Sequence, residues 1–473
     1  MITDHEIVRV RFAPSPSGYL HIGGARTAIF NWLFAKKTNG KLLLRIEDTD
    51  AARSDLKLVE QITDALAWLG VKWDDDLIFQ STRLDLYRRF CYELLETDKA
   101  YRCFCSRERL ESIRDRYGYD KRCRHLSVAE IRAHLNENSP YAIRLKIEEG
   151  ITQFNDTVFG SLKFNNDELD DFVLLKSDGM PTYHLAVVVD DHDMNITHVI
   201  RGADHVSNTP KQVLIYNAFG WSIPSFTHVP LILGADRKRL SKRHGATSVL
   251  EYRHMGYHPD AVFNYLALLG WSPDDDREIM DKLEIMSAFS LGTISKTNAI
   301  FDEKKLQWMN SQYINRMSDT EIADQIIPGM IENGTLDREN IDRNYILKVI
   351  MLFKQKVRFL NDFATLGSYF FKDPDQYDAV AREKYWNEDQ TIAWLRLVRD
   401  EMMQTQPFSA DHIELTIRKL AQRSEISAAQ LIHPVRLALT GFSVSPGLFE
   451  MMDLLGRDAV IRRLDRAIKF LEE

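Results

Sequence analysis

Three short stretches of this chain carry residue types spaced for chemistry. The first is SGYLHIGGAR, residues 17–26, where His21 follows an apolar pair and stands just before the consecutive glycines Gly23 and Gly24. A helix starting there presents free backbone N–H groups and a partial positive charge, which together favour an anion such as phosphate. His21 is then placed to donate a hydrogen bond to a phosphate oxygen as charge develops on it. Taken alone, a histidine beside a glycine pair is more often an ordinary loop residue.

The second stretch is ADRKRLSKRHG, residues 235–245, in which Arg237, Lys238, Arg239, Lys242 and Arg243 surround Ser241. A solvated basic loop is its plain reading. Lysines that close over a polyphosphate explain more: they neutralise a leaving pyrophosphate, and the small hydroxyl adds a hydrogen bond. The third stretch, residues 101–126, holds Cys103, Cys105, Cys123 and His125. One residue separates the members of each pair, so on extended backbone both side chains of a pair point to one face. Two such pairs can meet as a closed Cys3His set suited to structural zinc, with no open position for catalysis. The alternative is three thiols and an unrelated histidine. Tyr117 and Tyr119 lie between the pairs, within reach of such a metal, while Cys91 reads as a helix core residue.

These groups need a scaffold. IVRVRF, residues 7–12, alternates apolar with basic residues and reads as a strand ending at Pro14. Ala25, Ala28, Ile29, Trp32 and Leu33 then follow helical spacing, which predicts a helix from near His21 to about Gly40. KLLLRIED supplies a second strand, and Ile62, Leu66 and Leu69 a second helix, so the expected fold begins as an α/β, Rossmann-like, doubly wound parallel sheet. Further strands are predicted at 172–176, 184–191 and 228–234, the last two completing the sheet around an inserted α/β segment. After about residue 245 strand signals fade. Ile346, Val349, Ile350, Phe353, Val357 and Leu360, and later Val460, Leu464, Ile468 and Leu471, predict an all-helical last third.

With 473 residues and 44% hydrophobic composition the chain can bury several cores. No apolar run approaches the roughly 20 residues that span a bilayer, so no membrane partner is expected and the cytoplasm is the expected location. Four cysteines, three of them clustered, argue for local chemistry over a disulfide framework. The net charge of -8 exerts no global pull on nucleic acid, although a local basic patch still can.

PSPSGYLHIGG resembles the "HIGH" region of class I aminoacyl-tRNA synthetases, and RLSKR resembles their "KMSKS" loop. RFAPSPSGYLHIGGARTAIFNWLFA, RIEDTD at 45–50 and PTYHLAVVVDDHDM at 181–194 are similar to glutamate–tRNA ligases in particular, and VRLALTGFSVSPGLFEMMDLL at 435–455 is similar to the helical anticodon-binding end of the bacterial enzymes. The resemblance implies an elongated molecule: a catalytic domain in two halves, 1–100 and 183–250; an acceptor-stem-binding insertion, 101–182; a helical stem-contact domain, 251–325; and anticodon-binding helices, 326–473. It implies that Pro14, Gly18, His21, Gly23, Gly24, Arg239, Leu240, Ser241, Lys242 and Arg243 hold ATP, with His21 and Lys242 catalytic. Arg11, Ala13, Ser15, Glu47, Tyr183 and Arg201 would hold glutamate. A dianionic amino acid needs a guanidinium fork for a carboxylate and an acid for its ammonium, which agrees with that set.

Magnesium with ATP, one structural zinc at the cysteine cluster, tRNA(Glu) as partner, a monomeric state and activation of glutamate only once tRNA is bound are further implications. The chain departs from the family at Ala203, where RGADH replaces an acidic text, and at Val187, where some relatives carry asparagine. Gly24 replaces the last histidine of the general class I motif, as is ordinary in the glutamate subgroup. The alternatives are an enzyme that also charges tRNA(Gln) and a catalytically silent RNA-binding paralogue. A glutaminyl enzyme is disfavoured by the helical C-terminal third, and a shortened tRNA-modifying relative by length. Lys354, Lys356 and Arg358 are candidates for anticodon contact.

Overall fold

Strands β1 (Arg9–Phe12) and β2 (Lys41–Ile46) pair in parallel, with helix α1 (Ile22–Lys37) connecting them. This is the βαβ opening predicted from the two apolar runs. The structure, a computed structural model, describes residues 7–50, 55–117, 119–238, 240, 248–386 and 390–473. Helix α2 (Leu56–Trp68) begins at Asp55, whose carboxylate accepts from the Lys57 N–H, and buries Val59, Ile62, Ala65 and Leu66. Strand β3 (Ile78–Phe79) then extends the sheet, parallel to β2.

Helix α3 (Leu84–Glu96) carries the fully buried Cys91 and leads into β4 (Ala100–Cys103), the first strand of a separate sheet. After α4 (Arg107–Tyr117) and α5 (Val128–Asn136), strand β5 (Ala142–Leu145) pairs antiparallel with β4. The hairpin of β6 (Ile151–Asp156) and β7 (Gly160–Asn165) follows, and β8 (Val173–Leu175) returns to the β4–β5 sheet. Helix α6 (Tyr183–Asp193), strand β9 (His198–Gly202), helix α7 (Thr209–Phe219) and strand β10 (Ser225–Val229) come next. Strands β6, β10 and β9 run parallel in the order β7-β6-β10-β9, so the hairpin belongs to the same sheet as β9. The β1 and β9 edges meet where the Thr197 N–H donates to the Arg9 carbonyl at 2.9 Å.

Residues 184–191, expected as a strand, are helical in α6. An apolar run without periodicity does not separate the two states. In α6 Leu185 to Asp191 are all buried, Asp190 against Gln80, Arg83 and Tyr87 and Asp191 against Arg11 and Arg45. The strand expected at 228–234 is split: β10 ends before Pro230, and β11 (Ile232–Leu233) pairs instead with β12 (Ala299–Ile300). Proline has no N–H to give a ladder. Strand β9, like β3 to β7 and β12, is an addition to the individual strands expected from sequence.

The chain divides into two units: residues up to Arg253 with Val262–Glu303, and His254–Ala261 with Lys304–Glu473. Every regular element among the described residues from 304 onward is a helix. Ile346, Val349, Ile350 and Phe353 line the inner face of Arg343–Phe353, and Val460, Leu464 and Ile468 that of Arg457–Glu472, in one apolar core. Val357 and Leu360 lie past the end of the first of these helices. No described helix is long and apolar enough to cross a membrane.

Candidate active site

His21 is the N-cap of α1: its backbone is extended, and its Nδ1 accepts the Gly24 N–H at 3.0 Å. One of the helix's orphan donors is thereby satisfied. With Nδ1 occupied as an acceptor, the proton of the neutral ring sits on Nε2. The glycines have a specific purpose: a Cβ at Gly23 would lie 3.2 Å from the imidazole and one at Gly24 3.1 Å from Leu20, so bare backbone lets the ring fold over the first turn.

His21 lines a cavity of about 440 Å³. Of the residues expected at ATP and glutamate, Pro14, Gly18, Gly23, Gly24, Leu240, Arg11, Ala13, Ser15, Glu47, Tyr183 and Arg201 line the same cavity. They come from the ends of β1, β2 and β9 and the start of α1 and α6, the C-terminal strand edges where open α/β sheets bind ligands. Arg239, Ser241, Lys242 and Arg243 lie outside the described residues.

Under the cavity lies a buried ionic layer. Arg11 Nε donates to Asp191 at 3.1 Å, and Arg45 Nη1 donates to the same carboxylate at 2.6 Å. The other end of Arg45 meets Glu47 at 3.3 Å, and Glu47 is fixed to the loop after β1 by its N–H to the Pro14 carbonyl, 3.0 Å. Asp190 accepts from Gln80 (2.7 Å), Arg83 (2.8 Å) and Tyr87 (2.9 Å). Burial pushes the Asp191 pKa up, but Arg11 and Arg45 outweigh it and the net direction is down. For Glu47 burial wins over the same two arginines and the pKa is raised. A carboxyl held short of full charge compensation is suited to receive a substrate ammonium.

The Tyr183 hydroxyl lies 3.1 Å from His205 Nδ1, and burial raises the Tyr183 pKa. Burial and then Arg201 press His205 down to about 4, so it is neutral at physiological pH. Sequence reasoning gave no role to His205, Asp204 or Arg26, all of which line the cavity. Arg26 is buried and donates to the Leu269 carbonyl at 3.0 Å and to the Pro230 carbonyl, tying α1 to the segment that leads into RLSKR. The available signal was a charged residue set among Ala25, Ala28 and Ile29 on the buried side of a helix.

Cys103, Cys105 and Cys123 are gathered with their sulfurs within 4.8 Å of one another, Cys105 and Cys123 at 3.5 Å. Tetrahedral zinc with Zn–S of about 2.3 Å sets its sulfurs about 3.8 Å apart, so the donor set fits the ion. The buried Tyr119 hydroxyl lies 3.3 Å from Cys103 Sγ, whereas His125 is exposed and stands outside the group.

Residues 7–308 match the family described as tRNA synthetases class I (E and Q), catalytic domain, and residues 321–468 match an anticodon binding domain. The fold is thus that of a class I tRNA synthetase. The chain is 45% identical to a glutamate–tRNA ligase 1 of Caldanaerobacter subterraneus subsp. tengcongensis, over 98% of both chains. It is 45% identical to a glutamate–tRNA ligase of Thermodesulfovibrio yellowstonii over 98% of this chain and 99% of that one. A crystal structure of a glutamate tRNA ligase from Elizabethkingia meningosepticum in complex with its amino acid superimposes with a TM-score of 0.88 at 35% identity, covering 98% of this chain and all of the other. The chain belongs to the glutamate–tRNA ligase family of class I aminoacyl-tRNA synthetases.

Proposed function

We propose that the chain attaches L-glutamate to tRNA(Glu) at this cavity, in two steps. In the first, a glutamate α-carboxylate oxygen attacks the α-phosphorus of ATP, forming glutamyl-adenylate and releasing pyrophosphate. In the second, a hydroxyl of the terminal tRNA ribose attacks the glutamyl carbonyl and AMP leaves. The observation that carries this reading is one cavity lined by both Arg11, Glu47, Tyr183 and Arg201 and the His21-capped start of α1.

Arg11 and Arg201 bind the substrate carboxylates and Glu47 its ammonium, with Tyr183 packed between them. The His21 Nε2–H and the first N–H groups of α1 stabilise charge growing on the phosphates, and Lys242 neutralises the departing pyrophosphate. Magnesium enters with ATP as part of the substrate and spreads the phosphate charge. Positioning and charge neutralisation suffice, with no covalent enzyme intermediate. Cys103, Cys105 and Cys123 would hold a structural zinc, with His125 as the fourth ligand of the expected set and Tyr119, 3.3 Å from Cys103 Sγ, as an oxygen donor close to that sulfur. The division into catalytic halves at 1–100 and 183–250, an acceptor-stem segment at 101–182, a stem-contact segment at 251–325 and anticodon-binding helices at 326–473 is part of the same proposal, as are a monomeric state, a cytoplasmic location and tRNA binding ahead of glutamate activation.

The test is charging of purified tRNA(Glu) with glutamate by wild type and by Lys242→Ala. Wild-type turnover with a loss of roughly a hundredfold in the variant is expected. Equally slow reactions would overturn the enzymatic reading.

A further inference from the structure

Arg201 is only 6% exposed, and its guanidinium is held on one side by a chain of buried groups. Nε donates to His228 Nε2 at 3.1 Å, and Nη2 donates to Thr209 Oγ1 at 2.8 Å and to Gln212 Oε1 at 2.7 Å. Nη1 is buried and has no hydrogen-bond partner among the described residues, on a side chain that lines the cavity. Behind Arg201, the fully buried His228 faces Asp156 with Nδ1, 2.7 Å from Oδ2. Asp156 is itself pinned: Oδ2 also accepts the His228 N–H at 3.0 Å, and Oδ1 accepts the Val158 and Phe159 N–H groups at 2.9 and 2.8 Å.

The proton positions follow from the chemistry of the end groups. A guanidinium only donates, so His228 Nε2 must accept, and Nδ1 must carry the ring proton and give it to Asp156. A second proton on His228 would set an N–H head-on against the Arg201 Nε–H. Burial lowers the His228 pKa, Asp156 opposes this and Arg201 lowers it further, for a net downward direction. Burial raises the Asp156 pKa, but the bonds from His228, Phe159 and Val158 bring it down overall. The carboxylate stays ionised and the ring neutral, as the chain requires.

We propose that His228, locked in one tautomer by Asp156, is a positioning residue for glutamate: it holds Arg201 by Nε so that Nη1 is kept for a substrate carboxylate. This rests on the reading of Arg201 as a glutamate-binding residue. The link is long in sequence and short in space. Asp156 ends β6, His228 lies on β10 and Arg201 on β9, three neighbouring strands of one sheet, so the sheet register sets where the guanidinium sits.

Two substitutions separate positioning from bulk structure. In His228→Gln the side-chain oxygen can replace Nε2 as the acceptor for Arg201. In His228→Asn the amide can still donate to Asp156 but offers Arg201 nothing. With full-length protein, tRNA(Glu) and ATP, His228→Asn is expected to raise KM for glutamate about tenfold or more with KM for ATP nearly unchanged, and His228→Gln to stay within about threefold of wild type. Arg201→Leu is run beside them. A raised KM in Arg201→Leu together with equal KM values in the Gln and Asn variants, or an equal rise in KM for ATP, overturns this inference alone. An unchanged KM for glutamate in Arg201→Leu overturns the assignment of Arg201 and this inference with it.

Discussion

The two units of the chain differ in how much charge they bury, Arg463 being the one buried charged residue among those described in the second. In the first, Arg11, Arg45, Asp190 and Asp191 are each at most 4% exposed and bond to one another beneath the cavity. In the second, the core of Ile346, Val398, Leu420, Leu464 and their neighbours is apolar, and pairs such as Arg399–Asp465 and Arg418–Glu414 stay on the surface. Buried ion pairs are a poor source of stability, because desolvation cancels much of the attraction. Their presence under the cavity is therefore better explained by the need to fix a constellation of charges for a charged substrate. The helical unit's centre, by contrast, is packed for stability.

The difference can be broken most severely at Asp191. Asp191→Ala leaves Arg11 and Arg45 buried without their shared carboxylate, and should cost about 3–5 kcal/mol, seen as faster amide exchange in peptides of 9–46 while peptides of 390–472 keep their protection. If both regions lose protection equally, the ionic layer is not local to the cavity. Next, Leu464→Ala should cost about 2–4 kcal/mol by denaturant unfolding of the helical unit and leave KM for glutamate where it was.

Asp373 in the helical unit is a milder case. Arg462 above all, and Arg463, hold its pKa down to about 2 from 3.8, although partial burial opposes them. A carboxylate depressed in the folded state contributes stability that is complete above pH 4 and is lost as pH falls through 2. Discounted for solvent screening, Asp373→Asn should remove about 1–2 kcal/mol at neutral pH, and the deficit against wild type should shrink between pH 4 and 2. Smallest of all, Arg418→Ala breaks an exposed pair and should move stability by less than about 0.5 kcal/mol in urea titrations.

How much of this was legible depended on whether a residue's neighbours in sequence shared its job. The helices of the last third follow from local periodicity, because each buries one face, whereas β1 and α1 were legible from their apolar runs although both bury residues on more than one side. Helix α6 was misread, since a segment buried on all sides shows no period, and its aspartates find partners more than a hundred residues away, Gln80 and Arg11 among them. The family motifs located the cavity's lining, including Arg11, Glu47, Tyr183 and Arg201. They gave no role to Arg45, although it opens RIEDTD, nor to Asp156 and His228, none of which lines the cavity itself. Three cysteines of the expected metal set are gathered, while Tyr119 comes closer to them than spacing alone would rank it.

The central claim is that this cavity binds glutamate by its charges. The most direct measurement is KM for glutamate in tRNA(Glu) charging by wild type and Arg11→Leu, with KM for ATP recorded in parallel. The account predicts a rise on the order of a hundredfold for glutamate and little change for ATP, because a substrate carboxylate loses a buried guanidinium. An Arg11→Leu enzyme that folds normally and keeps the wild-type KM for glutamate would contradict it.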